Sequence, residues 1–326
     1  MKALLCERNG PVSGLTLRDI ADPVAGPGEV VVAVAACGIN FPDALIVEGK
    51  YQMKPEFPFS PGGEIAGTIA SVGPDVVGWQ PGDHVMAFTI WGGLREKMVV
   101  PATDLLRRPA AMPPEDAAAL LIAYGTALYA LDNLARLAAG ENVLVLGGAG
   151  GVGTASIQIA KATGARVVAA VSSETKATFC RNMGADDVVV YDASDAALKD
   201  VFKQAAGPSG FDVIIDPVGG AFSEAALRSI AWGGRHMVVG FATGTIPKMP
   251  LNLTLLKGCS VVGVYLGGFL KRYTPERERM LDRLNEMWLM GVRPHIEATC
   301  PLADAATAIQ LLADRKATGK FVVTMA

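Results

Sequence analysis

Gly148-Ala149-Gly150-Gly151-Val152-Gly153 follows the apolar run 143–146 and opens a stretch, 152–163, with helical apolar spacing that Gly164 closes at a C-cap position. A G-x-G-x-x-G pattern carries meaning only between a strand and a helix, and this one stands there. In that setting Gly148 is expected to make the tight turn, Gly150 to let the backbone approach a pyrophosphate, and Gly153 to allow close helix packing. Gly151 and Val152 then bring helix N-terminal amides toward the anion. The alternative is a glycine-rich turn with no ligand.

Outward from this motif the rhythm is strand, helix, strand, with apolar runs at 143–146, 166–171, 188–191, 211–215, 236–239 and 261–265. Near-continuous apolar strands joined by helices imply a parallel sheet covered on both faces, and six of them predict the doubly wound Rossmann arrangement of an α/β protein. Residues 1–120 instead show short β-branched runs, 29–36, 64–72 and 97–100, punctuated by Pro27-Gly28, Pro61-Gly62-Gly63 and Pro81-Gly82-Asp83. This half reads as a small irregular β-barrel. After 266 come a charged helix over 275–290, a helix over 302–314 and a last strand, 321–324, that is expected to return to the first domain. The division expected is therefore 1–124, 125–265 and 266–326, with a cleft between two packed domains.

Composition narrows the function classes. The net charge is −3, from 29 basic and 32 acidic residues, so no broad positive field invites nucleic acid or anionic lipid. The five cysteines, 6, 37, 180, 259 and 300, form no CxxC pair, which argues against a disulfide framework or zinc ribbon and points to a reducing compartment, the cytoplasm. Charge at Glu7 and Arg8 interrupts any secretory h-region. The apolar stretch 117–131 falls short of the roughly 18 residues of a membrane span and reads as a buried helix.

The cofactor's ribose is read at the end of the second strand of the sheet. An NAD site usually places an acid about 20 residues past the glycines. Here stand Ser172 and Ser173, with Lys176 one turn on, which suit a ribose 2′-phosphate and predict NADPH. Glu174 is the counter-indication, since a shift of two positions would put an acid at the ribose.

The chain resembles the medium-chain dehydrogenase/reductase superfamily, and within it the zinc-independent quinone oxidoreductase branch. The resemblance spans the whole chain and is carried by Gly38-Ile39-Asn40-Phe41-Pro42-Asp43, Gly49-Lys50-Tyr51, Pro61-Gly62-Gly63-Glu64, Gly92-Gly93-Leu94-Arg95-Glu96, Thr126-Ala127 and the glycine motif. It implies a GroES-like catalytic domain interrupted by the cofactor domain, and commonly a homodimer, here through the apolar edge 261–266. Zinc-dependent relatives carry a catalytic Cys and His. Cys37 stands at the first position, but Gly63 replaces the His and no third ligand follows near Ile122, so no metal is expected.

The resemblance also implies site residues. Asn40 and Asp43 match the segment lining the nicotinamide end, where Asn40 would donate to a substrate or cofactor oxygen or else serve as a turn residue. Asp43 would orient neighbours or cap a helix beginning at Ala44. Tyr51 matches the tyrosine that enoyl-thioester reductases use near the substrate, with a plain pocket wall as the alternative. Thr126, Tyr191, Gly240, Phe241, Leu266 and Gly267 would line the cofactor. Without a metal, hydride must pass directly from NADPH to an acceptor electrophilic by itself, a quinone or an enone. The expectation is a quinone oxidoreductase. The alternatives are a reductase of enoyl thioesters or alkenals, and a non-catalytic NADPH-binding protein.

Overall fold

Asn142–Leu146 reads Asn-Val-Leu-Val-Leu, and its four apolar residues are all buried, as a central strand covered on both faces requires. The computed structural model describes residues 1–191, 197–272 and 274–325. Among them the strand is the third from one edge of a six-stranded sheet. From edge to edge the order is Asp187–Val190, Arg166–Val171, Asn142–Leu146, Phe211–Asp216, Ile230–Val238 and Ser260–Gly263. All neighbours pair in parallel. Ranked by chain position this is 3-2-1-4-5-6, the doubly wound order whose strand direction reverses beside the glycine loop.

The fifth strand starts at Ile230, six residues before the apolar run that announced it. In the structure Gly233 takes φ 72° and the register with Phe211–Asp216 slips, so the strand passes through the glycines as a bulge.

The chain divides into two compact units, Met1–Ile122 with Pro294–Ala326, and Ala123–Arg293. The second boundary corrects the expected one at 266. The helices Leu266–Arg272 and Thr274–Leu289 belong to the cofactor unit, where Leu266 packs on Gly125 and the rings of Phe269 and Tyr129 stack at 4.3 Å.

In the first unit the eleven-residue strand Glu29–Ile39 is the organiser. It pairs antiparallel with Glu64–Val72, Lys97–Pro101 and Lys320–Thr324. Its Val30, Val32, Val34, Cys37 and Ile39 enter one core with Ile65, Ile69, Val85 and Phe321. The long helix expected over 117–131 is instead broken into Pro114–Leu120 and Ala123–Leu128. At the break the Ile122 N–H donates to Glu64 Oε2 at 2.8 Å, a charged acceptor that competes with the helix carbonyl. Among the described residues no single helix is long and apolar enough to cross a membrane.

Candidate active site

The glycine loop has the form the motif requires, displaced by one residue. The left-handed turn is at Gly147, φ 63°, rather than at Gly148. Gly148 lies against the next strand, where a Cβ would come 2.9 Å from Ala169 Cβ. Gly153 meets the loop itself, since a Cβ would fall 2.3 Å from Gly147 O. Gly150 is the open position: it is exposed, and the nearest atom to its ideal Cβ is 3.5 Å away. It is also the N-cap of the helix Gly151–Ala162, and no side chain caps that end. The first-turn amides of Gly151 and Val152 therefore remain for an anion, which fits a dinucleotide pyrophosphate.

At the end of Arg166–Val171, Ser172 is exposed and Ser173 is the N-cap of the helix Glu174–Asn182. The Lys176 amide donates to Ser173 Oγ at 3.3 Å, which commits that oxygen as an acceptor and leaves its O–H to donate. Glu174 lies in the exposed first helical turn. Tyr191 directly follows the next strand, Asp187–Val190, with its ring 4.6 Å from that of Phe222.

The other side of the sheet's reversal point is built around Asp216. Its Oδ1 accepts the amides of Val218 and Gly219 at 3.0 and 2.9 Å, and its Oδ2 accepts from the Ser223 hydroxyl and bonds His236 Nε2 at 3.0 Å. Burial works to raise this carboxyl, but the bonds from His236, Gly219 and Ser223 outweigh it and hold it below the usual carboxylate range. The turn so fixed carries the next loop, through Ala242 N to Pro217 O and Thr243 N to Val218 O at 3.1 and 2.9 Å. That loop presents Gly240 and a partly exposed Phe241. Thr126 is buried in Ala123–Leu128, and Leu266 is a core side chain. Gly267 is in the first turn of the helix Leu266–Arg272.

In the first unit, residues 38–43 join the strand Glu29–Ile39 to the helix Phe41–Val47, which begins three residues before Ala44. Asn40 is the N-cap, and its backbone N–H donates to Asp43 Oδ2 at 2.7 Å while Gly62 N–H donates to Asp43 Oδ1 at 2.9 Å. Asp43 is buried, which pushes its carboxyl up to about 6 against the pull of those two amides. The Asn40 side chain faces inward. Its Nδ2 donates to Glu64 Oε1 at 2.8 Å and to Gly38 O at 3.3 Å, and its Oδ1 accepts from Lys320 Nζ at 2.6 Å. Both amide hydrogens are thus engaged within the protein, so the free donor expected from sequence is not offered.

Cys37 is buried, and its thiol is pushed well above its usual range by burial and then by the nearby carboxylates of Asp43 and Glu64. Its sulfur is wedged between glycines, since a Cβ at Gly62 or Gly93 would lie 2.6 or 2.8 Å from it. Among the described residues no three His, Cys, Asp or Glu side chains converge in a way that could hold a metal ion. The donor set present does not fit catalytic zinc. Sequence reasoning missed Lys320 and saw Glu64 only as a motif letter. Each opens an apolar strand, 64–72 and 320–324, which was the one available signal.

Tyr51 follows the turn that ends the helix Phe41–Val47. Gly49 takes φ 69° over the Asn9 side chain, and Lys50 N–H bonds Leu45 O at 2.8 Å. The tyrosine ring is partly buried against the core of the first unit.

Known proteins share this arrangement. The chain matches the family descriptions "Alcohol dehydrogenase GroES-like domain" over residues 26–110 and "Zinc-binding dehydrogenase" over residues 151–286. Quinone oxidoreductase-like protein 2 of Rattus norvegicus is 38% identical over 313 residues, 95% of this chain and 89% of the relative. Among solved structures, a mycobacterial protein complexed with NADPH is 30% identical, with a TM-score of 0.92 and 99% of each chain covered. The quinone oxidoreductase of Thermus thermophilus, solved also in complex with NADPH, is 32% identical with a TM-score of 0.82, over 99% of this chain and all of that one. With the glycine loop, the 3-2-1-4-5-6 sheet and the GroES-like unit in place, the chain belongs to the medium-chain dehydrogenase/reductase superfamily, among its enzymes of the quinone oxidoreductase type.

Proposed function

We propose that the protein is an NADPH-dependent quinone reductase that works without zinc. The observation that carries this reading is the environment of Cys37. The buried residues there are satisfied by one another and by Lys320, and they provide no ligand set for a Lewis acid. The acceptor must therefore be electrophilic by itself, as quinones and enones are.

When bound, NADPH supplies the hydride. The chain's part is to bind and orient. The amides at Gly151 and Val152 would hold the pyrophosphate beside the open Gly150, and Ser172, the Ser173 O–H and Lys176 would hold the 2′-phosphate. Gly240 and Phe241, on the loop anchored by Asp216, would wall the nicotinamide end together with Thr126 and the backbone at 266–267, whereas Tyr191, after the edge strand next to Arg166–Val171, would line the cofactor on the ribose side. Tyr51 would bring a phenol to the substrate. Reduced quinone oxygens take protons readily from water, so that phenol orients rather than protonates. The same reading includes a homodimer through the edge strand Ser260–Gly263 and, on five free thiols, a cytoplasmic location.

The test is NADPH oxidation by the purified protein with quinones, alkenals and enoyl thioesters side by side at equal concentration. Quinones are expected to be fastest, and NADPH to bind more tightly than NADH in fluorescence titration. Faster turnover on enoyl thioesters would replace the quinone reading, and equal affinity for both nucleotides would remove the roles given to Ser172 and Lys176.

A further inference from the structure

A lysine seldom sits in a protein interior unless a partner there compensates its charge. Lys320 is 3% exposed and opens the strand Lys320–Thr324. Its ammonium donates to Glu64 Oε1 at 2.7 Å, Asn40 Oδ1 at 2.6 Å and Ile39 O at 3.0 Å, which uses all three of its hydrogens. Glu64 is fully buried, and its oxygens also take Asn40 Nδ2 and Ile122 N–H, each at 2.8 Å.

The Asn40 amide lies between the two charges. Its oxygen faces the ammonium and its nitrogen faces the carboxylate. Turned by half a rotation it would aim N–H groups at the ammonium and a carbonyl at the carboxylate, so the ion pair admits one orientation. That orientation sends Nδ2 to Gly38 O as well, closing residues 38–40 into a fixed turn. Asn40 N–H and Gly62 N–H then share the Asp43 carboxylate, which ties the start of the helix Phe41–Val47 to the turn 61–63.

We propose that Lys320 and Glu64 are a positioning pair that holds residues 38–43 and 61–63 in the arrangement the reaction uses, with the Lys320 ammonium as the fixed cation of the site. The kinetic arm of the test rests on the oxidoreductase reading above; a second arm does not.

Buried ion pairs replaced together by neutral groups often leave stability intact, whereas loss of one partner strands a charge. Three variants therefore separate positioning from mere folding: Lys320→Met, Glu64→Gln and the double substitution. Lys320→Met is expected to lower Tm by roughly 10 °C, or to fail to fold. The double variant is expected to recover most of that Tm. Its turnover of NADPH with a simple benzoquinone should nonetheless be about tenfold to a hundredfold slower than the parent's, with KM for NADPH within about twofold. In 15N-labelled protein the Asn40 side-chain amide protons should exchange with water about tenfold faster in the double variant than in the parent. Parental turnover in the double variant overturns the proposal. A parent that binds NADPH but reduces no acceptor fails the oxidoreductase reading instead, and unchanged protection of the Asn40 amide in the double variant then overturns the pair's role independently.

Discussion

Asp43 gives the protein a pH dependence of definite sign. Its carboxyl titrates at about 6 when folded, against about 3.9 in an unfolded chain, so the folded state holds the proton more tightly between those values. The contribution to stability is fully present below about pH 4, declines as pH rises, and is lost above about 6. The shift of about two pKa units amounts to about 3 kcal/mol. Asp43→Asn removes the titration, so the difference in denaturant stability between parent and variant should change by about that amount between pH 3.5 and 7, the neighbouring Cys37, Glu64 and Lys320 being common to both proteins. A constant difference would assign the slope elsewhere. Tyr51→Phe keeps the ring and removes only the hydroxyl. Quinone turnover is expected to stay within about twofold, whereas any enoyl-thioester turnover should fall about tenfold to a thousandfold, because a carbanion needs a proton and a quinol oxygen finds its own. At this scale the sequence was legible only in part. Gly63 in place of a histidine was visible by inspection, as was Asp43 near Asn40. The direction of the Asn40 amide was not, because it is decided by Lys320, 280 residues away.

Among elements, the helix Gly151–Ala162 separates ligand geometry from packing geometry in two neighbouring glycines. Gly150→Ala places a methyl in ordinary van der Waals contact with Gly147 O, so the melting temperature should barely move while NADPH affinity drops about tenfold or more, the methyl standing where the pyrophosphate approaches. Gly153→Ala drives a methyl toward Gly147 O, and about 1–3 kcal/mol of stability should be lost along with binding. Equal stability losses in the two variants, read from parallel melts and titrations, would contradict this assignment. Strands were the most legible elements, because four to six consecutive apolar residues bounded by glycine and charge have few other readings. The fifth was read as starting only at His236, because the bulge at Gly233 interrupts the apolar run of a strand that begins at Ile230. The helix at 117–131 was misread for a related reason: its interruption at Ile122 depends on a carboxylate from a distant strand.

Over the whole molecule, the doubly wound sheet was readable because its order follows from alternating strands and helices. The return point at Pro294 was not, because the helices over 266–289 are held by ring stacking and by Leu266 on Gly125, contacts that leave no trace in local composition. The sheet's last strand, Ser260–Gly263, is an edge with Val261 and Tyr265 exposed, and Leu251, Leu255, Leu256 and Trp232 are also largely exposed on this unit. Apolar exposure beside an unpaired edge is the setting in which a second copy is recruited. Light scattering at micromolar concentration should give twice the chain mass, and Val261→Lys should shift it toward one; a monomeric parent would refute the homodimer. The ion pair described above also has a bearing on how the chain is made. Glu64 and Lys320 are 256 residues apart, so a ribosome adding about 5–20 residues per second leaves roughly 13 to 50 s between their syntheses. In that interval the uninterrupted stretch Ala123–Arg293 emerges whole and is free to fold first. The strand Glu29–Ile39 meanwhile waits with its 36–39 edge bare and Glu64 still hydrated, so a unit begun before the cofactor unit closes after it and is the part for chaperones to shelter.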